Sequence, residues 1–360
     1  WDPLDSTEGA ETKLKEVIDP VMEFYAKLLE VTFNKYGSLY FFNDVSPEEQ
    51  RDVPYDGETN PEFENRWRIG PTTERIYHKG KFRMSKNSLL PHLGPFKDIK
   101  DVLKSVANVQ IDFLKHRIGL SAADAGESVS KEDLEKQIAA LEDYLKIAPQ
   151  LLNLKSLAIA NVEEAFKPRF HFPDLDPLNV IVTKDGPVFV DFENTLIKPY
   201  ILQSYPSFVA YNGAKIYNLE EDIDDYELLD ELQKQQFQFM YYKTRNERLW
   251  ELALNAKRHD LISIASPHVK ILKQPYTQMF ELKNDKDYLY LVNALIQLQP
   301  MWEAYVANDL VDTTDSKYPI EFNQERLEQH EKAMDDHQRE IVSTPFAATG
   351  GWVPQDMFEQ

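Results

Sequence analysis

Apolar residues recur along most of this chain at spacings of three and four, the pattern of amphipathic helices. The spacing predicts helices over residues 20–33, 99–116, 130–145, 149–165, 219–240, 245–264, 286–308 and 323–341. Asp19 and Pro20 resemble the N-cap and first residue of the first helix. Residues 34–96 lack such a period and are rich in Pro, Gly and aromatic residues, so we expect an irregular segment there. Short hairpins are predicted near Tyr40 and over 75–84.

One stretch, residues 170–193, has the pattern of a β-hairpin instead. Residues 179–182 and 188–191 are short β-rich runs, and Asp185-Gly186 between them is a strong hairpin-turn signal. With that turn, Lys184 faces Pro187 and Val180 faces Asp191. Directly opposed residues have Cβ atoms about 5 Å apart. We therefore expect Asn179 and Asp191 to lie side by side at the open end of the hairpin.

The Asp174 loop enters the hairpin at the same end, so two carboxylates and an amide oxygen are predicted to converge there. Hard oxygen ligands of this kind suit Mg²⁺ and its phosphate partners. Two carboxylates about 4 Å apart repel by about 1 kcal/mol in water and about 4 kcal/mol near a protein surface, which favours a cation between them. The simpler alternative is a polar turn, since Asp, Asn and Pro are common in loops.

The charge and composition of the chain limit the kinds of partner that it is expected to bind. The 360 residues are 42% hydrophobic, enough for a substantial core, and carry a formal charge of −21. We expect no nucleic acid ligand, because phosphate backbones require a basic face. We also expect no membrane span, because no run of about 18 apolar residues occurs. The acidic run over 220–231 has two interpretations, a surface for a cationic substrate or a solvated helix face.

The order of Asp174, Asn179, a hairpin and Asp191 resembles the catalytic core of kinase-like phosphotransferases. Three other stretches extend the resemblance, and they are KYGSLY at 35–40, WRIGPT at 67–72 and GWVP at 351–354. In these motifs the chain resembles the aminoglycoside phosphotransferase-like, protein-kinase-like family of fungi.

This resemblance implies a mainly helical α+β fold, the C-terminal lobe of such an enzyme. The lobe would cover residues 1–345, with its catalytic loop and metal hairpin at 170–193, and an extended tail would follow at 346–360. In that family an N-terminal lobe precedes, and we expect it upstream of Trp1 and absent from this chain. The sequence has no G-x-G-x-x-G or G-x-x-x-x-G-K-[ST] motif to cover phosphates. ATP binding by this chain alone is therefore expected to be weak or absent.

The resemblance also implies an activity, Mg²⁺- and ATP-dependent phosphoryl transfer to a hydroxyl of an unknown small molecule. Asp174 would be the catalytic base, while Asn179 and Asp191 would bind the metal and the cofactor. It further implies a mitochondrial location.

The alternative is a catalytically inactive pseudokinase that binds a protein partner in a mitochondrial assembly. It depends on three positions at which this chain departs from the family's loop, namely Phe172, Asp176 and Leu178.

Overall fold

The structure is a computed structural model that describes residues 7, 9–45, 66–120, 130–184, 186–282 and 284–343. These residues are mainly helical and include three small antiparallel sheets. The helices are α1 (Ala10–Leu28), α2 (Lys86–Leu89), α3 (Ile99–Gly119), α4 (Lys131–Ile147), α5 (Val162–Phe166), α6 (Glu231–Lys257), α7 (Pro267–Phe280), α8 (Tyr288–Leu298), α9 (Trp302–Ala307) and α10 (Gln324–Ser343). The strands are β1 (Ser38–Phe41), β2 (Trp67–Gly70), β3 (Pro168–His171), β4 (Val180–Thr183), β5 (Gly186–Phe189) and β6 (Leu196–Pro199).

The chain divides into two compact units. The first comprises residues 1–105 and 154–270 and contains the three sheets with α1 and α6. Its core includes the buried rings of Tyr25 and Trp250, whose centroids are 5.8 Å apart.

The second unit comprises residues 106–153 and 271–360 and contains α4, α8, α9 and α10. There α4 packs against α8, and Asp143 of α4 forms an ion pair with Arg326 of α10. The prediction of a single lobe over 1–345 stays a prediction, and the predicted tail at 346–360 lies outside the described residues.

The first helix begins earlier than the sequence pattern predicted. It starts at Ala10 and continues through Pro20, which therefore does not mark its N-terminus. Leu14 and Ile18 are buried upstream of the proline and extend the apolar stripe of Val21 and Tyr25. Packing of this stripe outweighs the backbone hydrogen bond that a proline inside a helix removes.

The predicted helices over 219–240 and 245–264 are wrong in their boundaries. A single helix, α6, runs from Glu231 to Lys257. Before it, the carboxylate of Asp222 accepts hydrogen bonds from the backbone N–H groups of Tyr217 and Asn218, which holds that segment in a turn. Asp230 then caps the helix in a capping box with Gln233. This D-x-x-Q signal is visible in the sequence.

The other predictions had mixed outcomes. The structure confirms α3, α4 and α10, and divides 286–308 into α8 and α9. The helix over 149–165 was wrong, since that region contains a 3₁₀ turn at Ala148–Gln150 and the short α5. The hairpin over 75–84 was wrong as well, because a 3₁₀ turn occupies Arg75–Tyr77. Tyr40 lies in a strand, but the predicted short hairpin is wrong, because β1 pairs with the distant β2 and Tyr40 faces Arg68.

The pair β3–β6 positions the segment of greatest interest. The strands are antiparallel with Pro168 opposite Pro199 and His171 opposite Leu196. Residues 172–195 therefore leave the sheet and return to it at the same point. All four residues of β6 are buried, so this long excursion projects from a firmly held base.

Candidate functional site

Two ion pairs, each made by a buried cation, hold the base of the excursion. Arg169 on β3 is 2% exposed, and its Nη2 donates to Glu164 Oε2 at 2.6 Å. Its Nη1 donates to the backbone carbonyl of Leu29. On β6, Lys198 Nζ donates to Glu74 Oε1 at 2.6 Å. These contacts connect both strands to neighbouring segments. They are strongly favoured, because leaving a buried cation unpaired would cost several kcal/mol.

The loop between β3 and β4 fixes Asp174 and Asn179 relative to each other. The Asn179 side-chain amide Nδ2 donates to the Asp174 backbone carbonyl at 3.0 Å and to Asp174 Oδ2 at 3.3 Å. The amide oxygen Oδ1 is then the atom of Asn179 that can bind a cation. Asp174 is exposed and Asn179 is half-buried, so both can meet a ligand from solvent.

Asp176 stabilises this loop, a role that the sequence analysis missed. Its Oδ1 accepts from the backbone N–H of Leu178 at 2.9 Å, which caps the 3₁₀ turn Pro177–Asn179. Its Oδ2 accepts from Ser207 Oγ at 3.3 Å. An Asp followed by Pro is a helix-start signal and could have indicated the cap. The Ser207 contact crosses 31 residues and has no local signal.

The hairpin is present, but its register differs from the predicted one. Val180 faces Phe189 rather than Asp191, and Thr183 rather than Lys184 begins the turn, opposite Gly186. Asp185, half of the predicted turn, lies outside the described residues. Gly186 belongs to β5 at φ 120° and not to the turn, and Thr183 Oγ1 donates to its carbonyl at 2.8 Å. The shift is an even number of residues, so each side chain keeps its predicted face of the hairpin.

Asn179 and Asp191 flank the hairpin rather than lying within it. The Val190 N–H donates to the Asn179 carbonyl at 3.0 Å, so Asp191 follows directly after this last cross-strand contact. Asp191 has a left-handed backbone at φ 62°, which ends the strand. Asp tolerates this conformation better than most residues, and such positions are concentrated at functional sites.

One cleft contains all three predicted residues. It encloses only about 10 Å³, and it is lined by Phe172, Asp174, Leu175, Asp176, Asn179, Phe189, Val190, Asp191, Phe192 and Glu193. The donor set of carboxylates and an amide oxygen fits a hard cation such as Mg²⁺. Among the described residues, no group of three or more His, Cys, Asp or Glu side chains could hold a metal. A cation here would therefore be bound by at most two carboxylates, with Asn179 and water or phosphate oxygens completing its shell.

Aromatic rings form one wall of the cleft. Phe189 of β5 stacks on Phe24 of α1, with centroids 3.9 Å apart and planes 8° from parallel. Phe192 meets Phe172 edge-on at 5.6 Å. These contacts tie the outer strand of the hairpin, and with it Asp191, to α1.

The fold and the cleft define a mainly helical protein with a carboxylate–amide site at the end of a β-hairpin. Over its whole length the chain is similar to curated fungal proteins named "Altered inheritance of mitochondria protein 9, mitochondrial". It is 54% identical to those of Clavispora lusitaniae, Debaryomyces hansenii and Candida albicans, with 100% of this chain aligned in each case. The chain spans 60% of the first of these relatives and 58% of the other two.

The names of these relatives include the word mitochondrial, in agreement with the location expected from the sequence. No family model matches the chain, and no solved structure matches it. Within the described ranges, no helix combines the length and the apolar character needed to cross a bilayer.

Proposed function

We propose that this protein transfers the γ-phosphoryl group of ATP to a hydroxyl of a small molecule, in mitochondria. The observation that carries the proposal is the meeting of Asp174, Asn179 and Asp191 in one cleft at the end of a hairpin. The resemblance to the aminoglycoside phosphotransferase-like family supplies the type of reaction. The names of the relatives supply the compartment.

Asp174 would act as the base that orients and deprotonates the acceptor hydroxyl. Asn179 holds one of its carboxylate oxygens, Oδ2, at 3.3 Å, and the other oxygen can meet the substrate. Because the side chain is exposed, an acceptor can reach it without rearrangement of the loop. A positioned general base contributes about 10²–10⁴ in rate.

Asn179 Oδ1 and the Asp191 carboxylate would hold Mg²⁺. When bound, Mg²⁺ neutralises charge on the transferring phosphoryl group and fixes its geometry. The left-handed turn at Asp191 places this carboxylate outside the regular ladder of the hairpin, at the cleft.

The cleft does not provide a complete nucleotide site. Its enclosed volume of about 10 Å³ is far below the 300–1,000 Å³ typical of small-molecule pockets. The sequence also has no glycine-rich phosphate loop. We therefore propose that other parts of the complete protein form the remaining walls, and that the 360-residue chain alone binds ATP weakly.

Two substitutions in the complete protein test the proposal. Asp191→Ala should abolish Mg²⁺-dependent ATP binding, because it removes a charged metal ligand. Asp174→Asn should spare ATP binding, measured by calorimetry, and lower turnover by about 10²–10⁴. Asp336→Ala, at an exposed site on α10, is the matched control and should change neither property.

The second candidate function is an inactive, kinase-like interaction module. Exposed apolar side chains on the loop and the hairpin favour it, since Leu178 is 92% and Val182 is 86% exposed. This candidate replaces the first if both Asp variants remain folded and neither changes ATP binding or turnover.

A further inference from the structure

Helix α6 carries an apolar stripe that is buried at one end and open at the other. Leu232, Phe239, Trp250 and Leu254 are spaced by seven, eleven and four residues, which places them on one helix face. Trp250 and Leu254 are 0% exposed. Leu232 is 65% and Phe239 is 45% exposed. The same stripe therefore has a packing partner in its second half and an open surface in its first.

Contacts with neighbouring residues explain why the second half of the stripe on α6 is buried. The rings of Tyr25 and Phe208 pack on Trp250 at centroid distances of 5.8 and 5.9 Å, and Glu23 of α1 pairs with Lys257. The open half is extended by Leu228, which is 83% exposed and lies in the turn just before the helix. This turn is held against α6, since Tyr226 OH accepts from Gln238 Nε2 at 3.0 Å.

Acidic side chains lie just before the open half and at its first residue. Residues 220–234 contain eight carboxylates and one lysine. All eight carboxylate residues are exposed, and they are Glu220, Glu221, Asp222, Asp224, Asp225, Glu227, Asp230 and Glu231. Below, "the acidic face" means these eight residues together with Leu228, Leu232 and Phe239.

Local structure accounts for some of these carboxylates. Hydrogen bonds from the backbone N–H groups of Asn218 and Tyr217 lower the pKa of Asp222, so it stays ionised. Asp230 caps α6, and Glu227 lies 3.5 Å from Lys234.

Glu231 accepts a hydrogen bond from Gln235 Nε2 at 3.5 Å. The remaining four carboxylates have no such role. Within the described ranges, the side chains of Glu220, Glu221, Asp224 and Asp225 form no hydrogen bond or ion pair. Four like charges beside exposed leucines repel one another unless a cationic partner is present.

We propose that the acidic face binds a cationic amphipathic helix of a partner protein. Leu232 and Phe239 span two helical turns, about 10 Å, and can receive the apolar face of a second helix. Lysine and arginine beside that face would pair with the carboxylate rim. A second copy of this chain fits poorly, because each copy has a charge of −21. The net negative charge of the chain also disfavours nucleic acids and anionic membranes as partners.

This proposal is independent of phosphoryl transfer. None of the residues of the acidic face lines the cleft of Asp174. Substitutions on the acidic face should therefore leave ATP binding and turnover unchanged, and failure of either proposal leaves the other standing.

The test uses a fluorescent peptide of leucine and lysine, about five helical turns long, with leucine at helical spacing. A scrambled peptide of the same composition is the control for charge alone. Binding to the complete protein is followed by fluorescence anisotropy at about 0.1 M salt, where the Debye length is about 10 Å. We expect the amphipathic peptide to bind at least about tenfold more tightly than the scrambled one, since buried apolar anchors dominate such interfaces.

Two sets of variants locate the site. Leu232→Gln with Phe239→Gln should weaken binding of the amphipathic peptide by about tenfold or more and leave the scrambled peptide unaffected. Leu157→Gln, at a position 95% exposed, is the apolar control and should have no effect. The charge set neutralises the four carboxylates without a local role, as Glu220→Gln, Glu221→Gln, Asp224→Asn and Asp225→Asn.

A matched set on α10 controls for total charge. It makes the same change of four charges at exposed positions, as Glu328→Gln, Glu331→Gln, Asp335→Asn and Asp336→Asn. The acidic-face set should weaken peptide binding by about tenfold, and the α10 set by no more than about twofold, because screening limits remote charges.

Four outcomes would overturn the proposal. Equal binding of the two peptides, or equal weakening by the two charge sets, would show attraction to net charge alone. Concentration-dependent self-association lost in the Leu232→Gln, Phe239→Gln variant would make a second copy the occupant. Stronger peptide binding after deletion of residues 1–8 from the complete protein would show that this segment occupies the acidic face.

Discussion

Lys81 is a buried lysine in a loop rather than in a regular element. It is 2% exposed, and its Nζ donates to the backbone carbonyl of Ile76 at 2.7 Å. Burial lowers the pKa of its ammonium group from 10.5 to about 8. In the unfolded chain the group would return to its ordinary pKa, so folding and protonation are linked at this position.

This link predicts a pH dependence with a definite sign. Between pH 8 and 10.5 the unfolded chain retains a proton that folded Lys81 has lost, so the free energy of unfolding rises with pH. The rise is at most about 3 kcal/mol. Lys81→Met should remove it, as measured by urea unfolding at several values of pH across this window.

Other groups titrate in the same range, so a control variant is needed to assign the pH dependence to Lys81. Lys79→Met, at an exposed position two residues away, should keep the pH dependence of the wild type. A Lys81→Met protein with the pH dependence of the wild type would show that the ammonium group is solvated in the folded state.

At the scale of single residues, the sequence predicted which residues form the site. It did not predict all the contacts that hold them in place. Asp174 and Asn179 are five residues apart, so a local motif was enough to bring them together. The contact of Asp176 with Ser207 depends on the tertiary fold and could not be predicted from spacing.

At the scale of elements, the β4–β5 hairpin depends on one aromatic stack. A two-stranded hairpin is marginally stable in water without further packing. Phe189 supplies that packing through its ring contact with Phe24 of α1 at 3.9 Å. The opposite face carries Ile181 and Val188, which are 55% and 46% exposed.

Phe24→Ala should therefore loosen the hairpin selectively. An aromatic pair contributes about 0.5–1.5 kcal/mol beyond buried area, so amide hydrogen exchange over residues 180–190 should become about tenfold faster. Exchange in α4 and α10 should stay unchanged. Phe82→Ala, at a site 83% exposed, is the control. Uniform acceleration along the whole chain would instead indicate global destabilisation.

Element boundaries followed capping and turn residues more closely than apolar spacing. The hairpin was predictable because its signals are local, but its register was not, since Gly186 can occupy a turn or a strand. The start of helix α6 was predicted too early because apolar residues upstream of Asp230 continue a helical spacing, whereas the capping box of Asp230 sets the start. Helix α1 was truncated because Pro20 is tolerated within it.

For the whole molecule, the charge of −21 is the dominant electrostatic property. Local ion pairs offset part of it, such as Lys270 between Glu247 and Glu251 at 2.7 and 2.6 Å. Carboxylates still outnumber cationic side chains by 61 to 40. Compaction therefore brings like charges together, which opposes folding.

Added salt should therefore stabilise this protein. Raising ionic strength from about 0.01 to 0.1 M shortens the Debye length from about 30 to 10 Å. The melting temperature should rise by a few degrees, since screening weakens net repulsion more than it weakens short ion pairs. Choline chloride at equal ionic strength should act like sodium chloride. A falling melting temperature would mean that attractive pairs dominate the balance.

The pairing of His171 with Leu196 has an evolutionary consequence. Opposed residues in an antiparallel pair have Cα atoms about 5 Å apart, so everything between these two behaves as a cassette inserted at a single point. Substitutions inside the cassette can create, retune or erase chemistry, while the buried ladder beneath it keeps the scaffold intact. The residues of the cassette and the fold that carries them can then change separately under selection, and a lineage can alter the first without endangering the second.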